Sequence, residues 1–94
     1  MLLDNPVKKK IISVIKENAS VNEYIDMDRR FEDIGIGSFE FIRIMVMIEE
    51  HYDIEFEEAY FFFLEYGSIG DFICKTASYV YMMATHHEDI IIKE

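Results

Sequence analysis

The chain has 94 residues, 51% of them hydrophobic, which is enough for one buried core and too little for a second. Its 19 acidic side chains outnumber the 9 basic ones and leave a formal charge of −10, which disfavours nucleic acid and anionic membranes and favours partners with basic patches. The single cysteine, Cys74, excludes an internal disulfide.

The segment Met1 to Pro6 lacks the charged region, apolar run and cleavage-like site of a signal peptide, so a cytoplasmic location is expected. The densest apolar run, Tyr60-Phe61-Phe62-Phe63-Leu64, falls far short of the roughly 20 residues that span a bilayer, so no membrane insertion is expected. Asn5-Pro6 opens the first helix well, because Asn is a favoured N-cap and Pro at the first helical position loses no needed hydrogen bond. That helix is expected over about 6–17, with Val7, Ile11, Val14 and Ile15 at helical spacing. Lys8, Lys9, Lys10 and Lys16 lie mostly outside that stripe and read as a solvated face.

From Asn18 to Gly37 the helical pattern fails, although Val21, Tyr24, Ile25, Met27, Phe31 and Ile34 can pin a loop to a core. A connection of about 20 residues is unusual in a compact domain and points either to function or to a short helix hidden within it. It ends in Asp33-Ile34-Gly35-Ile36-Gly37-Ser38, where a glycine-punctuated loop meets the second helix, expected over about 38–51. The glycines allow a tight turn and leave Ser38 approachable, while the free N–H groups of the helix start favour a phosphate ester on its hydroxyl. A serine in such a place often serves only as an N-cap, and that plainer reading stands beside the first.

The second helix carries Phe39, Phe41, Ile42, Ile44, Met45, Val46, Met47 and Ile48, more apolar side chains than one buried stripe holds. Phe41, Ile44, Met45 and Ile48, continued by Tyr52, form the expected core stripe and leave Phe39, Ile42 and Val46 as a surface patch. The alternative is that those three pack beneath the long loop.

Asp53-Ile54-Glu55-Phe56 breaks the period, and a short third helix is expected over about 57–64 with acids in its first turn. Ser68 and Asp71 form a variant capping box ahead of a fourth helix over about 69–83, with Ile69, Phe72, Ile73, Ala77 and Val80 at helical spacing. Cys74, mid-helix without a basic motif nearby, reads as a buried structural cysteine rather than a nucleophile. Residues 85–94 read as a solvated tail, whose three isoleucines either cover the domain or contact a second copy. Adjacent His86 and His87 point in different directions on a helix, so no metal site is expected. The fold class is therefore all-α, with one domain over 1–94.

Phe31 to Val80, with Asp33-Ile34-Gly35-Ile36-Gly37-Ser38-Phe39, Ile48-Glu49-Glu50-His51-Tyr52-Asp53-Ile54-Glu55-Phe56 and Ser68-Ile69-Gly70-Asp71-Phe72, resembles the acyl carrier and peptidyl carrier proteins. The resemblance implies a four-helix acyl-carrier-like bundle with a long first loop and a short third helix. It implies a 4′-phosphopantetheine arm joined through a phosphodiester to Ser38, which matches the serine of the family's Asp-Ser-Leu signature. Gly37 stands in place of the usual acid and Phe39 in place of the leucine.

A carrier of this kind holds acyl or aminoacyl groups as thioesters for fatty-acid-like, polyketide or nonribosomal peptide assembly, and is not itself an enzyme. Its implied partners are a phosphopantetheinyl transferase and acyl- or aminoacyl-loading and condensing enzymes, with the carrier as a monomer. Matching positions on the second helix supply Phe39, Ile42 and Val46 as apolar contacts and Glu40, Glu49 and Glu50 as acidic ones. Arg43 sits where many members carry an acid. A competing reading is a carrier-like helical adaptor that is never modified and only binds proteins. An enzyme with Ser38 as nucleophile is disfavoured, because no motif places a base for it.

Overall fold

The computed structural model of the chain describes residues 5–19, 25–62 and 66–93, the last stretch as backbone alone beyond Met83. Three α-helices, α1 (Pro6–Asn18), α2 (Ser38–Tyr52) and α3 (Ile69–Lys93), are joined by irregular segments that contain two 3-10 turns, Phe31–Ile34 and Glu58–Phe61. No strand occurs among the described residues.

α1 starts where its N-cap predicts. Asn5 Oδ1 accepts from the Val7 and Lys8 N–H groups at 2.9 and 3.1 Å, which satisfies two donors that the first turn leaves free. Val7, Ile11, Val14 and Ile15 are buried against α2 and α3. α2 contributes Phe41, Ile44, Met45 and Ile48, all fully buried, and α3 contributes Ile69, Phe72, Ile73, Ala77 and Val80. α2 closes on Asp53 in the left-handed conformation (φ 56°, ψ 50°), with the Ile54 N–H returning to the Glu49 carbonyl at 3.1 Å.

The long first connection contains a short 3-10 turn, Phe31–Ile34, a hidden element of the kind that its length pointed to. Phe31 of the first 3-10 turn stands edge-on to Phe41 and Phe72, with ring centroids 5.4 and 5.1 Å away. Just before it, the chain lies against the start of α3. The Ile69 N–H donates to the Arg29 carbonyl at 2.8 Å and the Gly70 N–H to the Met27 carbonyl at 2.9 Å. A Cβ on Gly70 would stand 3.2 Å from both Cβ and O of Met27, so the close approach depends on glycine there. Val21 and Tyr24 lie outside the described residues.

Two expectations change. The third helix expected over 57–64 is, among the described residues, a four-residue 3-10 turn with no fully buried side chain. Consecutive Tyr60, Phe61 and Phe62 cannot share one face of an α-helix. The turn is instead fixed by aromatic contacts, Tyr60 against Tyr79 at 4.7 Å, and by the Tyr66 hydroxyl donating to the Tyr60 carbonyl at 2.9 Å. The second change is at the end of the chain. α3 does not stop near Met83 but continues to Lys93, because no glycine or proline follows Gly70 to break it. The segment read as a tail is helical backbone.

Candidate functional site

The geometry around Ser38 is built from the 3-10 turn outward. Asp33 Oδ2 accepts from the Arg30 N–H at 3.1 Å, and Gly35 ends the turn in the left-handed region (φ 81°, ψ 20°). Ile36 then dives into the core, 1% exposed, while its N–H donates to the Phe31 carbonyl at 3.0 Å. Gly37 is extended, and three residues beyond Ser38 the buried Phe41 sends its N–H to the Gly37 carbonyl at 2.9 Å. Buried side chains on both flanks thus fix the junction, and Ser38 is left exposed between them.

Ser38 is the first residue of α2 and not its cap. The N-cap is Gly37, whose N–H donates to Glu40 Oε1 at 2.9 Å, one half of a capping box. The plainer explanation of the serine therefore fails, since the Ser38 side chain makes no hydrogen bond among the described residues. Gly37 itself has no left-handed backbone to require glycine; instead, a Cβ there would lie 3.3 Å from Glu40 Oε1. The carboxylate fills the space that a side chain at 37 would take. Bonds from the Gly37 N–H and from its own N–H hold the Glu40 carboxyl below the ordinary glutamate range, and the Arg43 charge adds to this.

Along α2 the outward face carries Phe39, Ile42 and Val46, which are 68%, 49% and 38% exposed. They do not pack beneath the long loop. The Arg43 guanidinium lies over the Phe39 ring, 5.3 Å from its centroid, so a cation sits within the apolar patch. At 100° per residue, Phe39, Arg43, Val46 and Glu50 fall within about 60° of one another, on the side away from the core. Glu50 is exposed, whereas Glu49 turns inward and accepts from the Phe56 N–H at 2.8 Å. Glu49 thus ties α2 to the chain that follows it.

Cys74 is exposed and not buried, because Phe72, Ile73, Thr76 and Ala77 take the core face of α3 and turn position 74 outward. Its Sγ lies 3.7 Å from Lys8 Nζ, on the rim of a shallow cleft with Tyr60, Tyr66 and Lys75. Among the described residues no cluster of three or more metal-ligating side chains occurs, and no helix is long and apolar enough to cross a membrane. The side chains of His86 and His87 lie outside the described residues. Reading Glu40 only as a partner contact overlooks its part in the cap; the available signal was an acid three residues beyond a residue that begins a helix.

The fold and this junction define a small all-helical module that offers an exposed serine hydroxyl at a helix start. A family model described as the phosphopantetheine attachment site matches residues 7–73, well over half of the chain. The chain belongs to that family of carrier domains, which bear a covalently attached 4′-phosphopantetheine group and present substrates to partner enzymes without catalysing reactions themselves. Such domains interact with phosphopantetheinyl transferases and acyl-handling enzymes. Neither a curated relative nor a solved structure matches the chain.

Proposed function

We propose that Ser38 carries the phosphopantetheine group and that the chain holds acyl or aminoacyl intermediates on it for fatty-acid-like, polyketide or nonribosomal peptide assembly. One observation carries this reading: the hydroxyl is exposed at the first position of α2 and has no structural task, the cap being supplied by Glu40. The residues fit the group, since a phosphodiester at this position meets free N–H donors and the positive end of the helix dipole. When bound, the group supplies a thiol that holds cargo as a thioester. Attachment joins Ser38 Oγ to the pantetheine phosphate of coenzyme A, with adenosine 3′,5′-bisphosphate leaving and the hydroxyl proton passing to a base of the transferase.

Phe39, Ile42 and Val46 form the proposed docking face, with Glu40, Glu49 and Glu50 as its acidic contacts. Of these, Glu50 is the most available, because Glu49 is already engaged with the Phe56 N–H. Exposed apolar anchors inside a charged surround suit brief, repeated docking, and Arg43 asks for a matching carboxylate on the partner. We place the protein in the cytoplasm as a monomer, where coenzyme A is available and a lone thiol is tolerated.

Purified protein incubated with coenzyme A and a broad-specificity transferase should gain the mass of one phosphopantetheinyl group, and Ser38→Ala should gain none. No gain by the wild-type chain, with a control carrier modified in the same tube, would favour the unmodified adaptor instead. At the docking face, Val46→Asp should weaken association with the loading enzyme about tenfold or more while leaving thermal unfolding nearly unchanged. Wild-type affinity in that variant would move the docking face elsewhere.

A further inference from the structure

Ser38 and Glu40 draw on the same end of α2. The Glu40 carboxylate holds the Gly37 N–H at 2.9 Å and occupies the space beside the Gly37–Ser38 peptide, within 3.3 Å of where a Cβ on Gly37 would stand. The N–H groups of residues 38, 39 and 40 precede the first backbone bond of the helix, from the Phe41 N–H to the Gly37 carbonyl. A phosphodiester on Ser38 Oγ brings a permanent negative charge to this end, where one anion is already seated and like charges repel. The cap that would have to yield is the exposed end of a flexible side chain. Arg43, one turn on and already acting on the Glu40 charge, offers that carboxylate another partner at i,i+3 spacing.

Resting on the reading that Ser38 bears the prosthetic group, we propose that its attachment displaces Glu40 from the Gly37 N–H, so that the modified carrier presents a different arrangement of charge around Phe39 than the unmodified one. The phosphate ester takes over the donors of the helix end, and Glu40 swings out toward Arg43. Enzymes that act before and after attachment then meet distinguishable surfaces beside the same serine. The cost falls on a cap and not on the core, so the bundle itself is unchanged.

The test follows the Gly37 amide by NMR in both forms of the full chain. In the unmodified protein its chemical shift should titrate with the Glu40 carboxyl, below the ordinary glutamate range, and Glu40→Gln should abolish that titration. In protein whose intact mass shows one phosphopantetheinyl group, the Gly37 titration should be lost although Glu40 is present. A mass gain with an unchanged Gly37 titration overturns the displacement and leaves the carrier reading standing. No mass gain at all removes the carrier reading and the displacement with it.

Discussion

Phe31 is one of the buried side chains, with Ile25, Ile34 and Ile36, that hold the long loop and the Ser38 junction to the bundle, and replacing it with leucine tests its share quantitatively. It is 2% exposed, and its ring meets Phe41 and Phe72 edge-on at 5.4 and 5.1 Å. Leucine keeps most of the buried apolar area but loses both aromatic contacts, each worth about 0.5–1.5 kcal/mol beyond area, for a loss of about 1–3 kcal/mol. A domain of this size shifts by about 4–8 °C per kcal/mol, so Tm should fall by roughly 10 °C in a melt followed by circular dichroism. Phe31→Ala is less informative, because a loss of about 3–5 kcal/mol approaches the whole stability of a small domain. A Phe31→Leu shift below about 2 °C would refute the idea that the loop is anchored through this ring.

Thr76 is fully buried, and its Oγ1 has no hydrogen-bond partner among the described residues, so Thr76→Val should raise stability by about 1 kcal/mol in urea unfolding. Burial, with smaller contributions from Tyr60 and Asp71, pushes the Tyr66 phenol up to about 12. The fold therefore holds that proton more tightly than the unfolded chain does. Its contribution is complete below the ordinary tyrosine value of 10.0 and declines as pH rises toward 12. Tyrosinate absorbance should show Tyr66 ionising with unfolding, and Tyr66→Phe should blunt the alkaline loss. Against a formal charge of −10, the described residues form only two ion pairs, Arg30–Glu32 and Lys75–Asp71, so added sodium chloride should raise Tm. A flat salt titration would show the acids to be already compensated.

Much of the architecture is legible in the sequence where a single physical signal dominates. The Asn5-Pro6 start of α1 and the four buried positions of α2 follow from capping and from 3.6-residue spacing. At Ser68 and Asp71 the expected box forms in part: the Asp71 N–H donates to Ser68 Oγ at 3.1 Å, while the Asp71 carboxylate accepts from the Gly67 N–H at 3.2 Å. Elements set by long-range contact are less visible. The turn at Phe31 exists because two distant rings receive it, and Gly70 matters because the Met27 backbone lies against it. The third helix misled because a dense aromatic run resembles a core helix until its side chains are assigned to separate neighbours, Tyr79 among them. At the candidate site, the glycine-serine junction marked Ser38, but only the three-dimensional cap shows that Glu40 relieves it of a structural task.

The central claim, that Ser38 is the attachment point, is tested most directly by locating the modification within the loaded protein. Cleavage after Arg30 and Arg43 releases the peptide Phe31–Arg43, in which Ser38 is the only residue with a hydroxyl side chain. Fragmentation of that peptide after treatment with coenzyme A and transferase should place the phosphopantetheinyl group on Ser38. A loaded protein whose Phe31–Arg43 peptide keeps its unmodified mass would contradict the assignment.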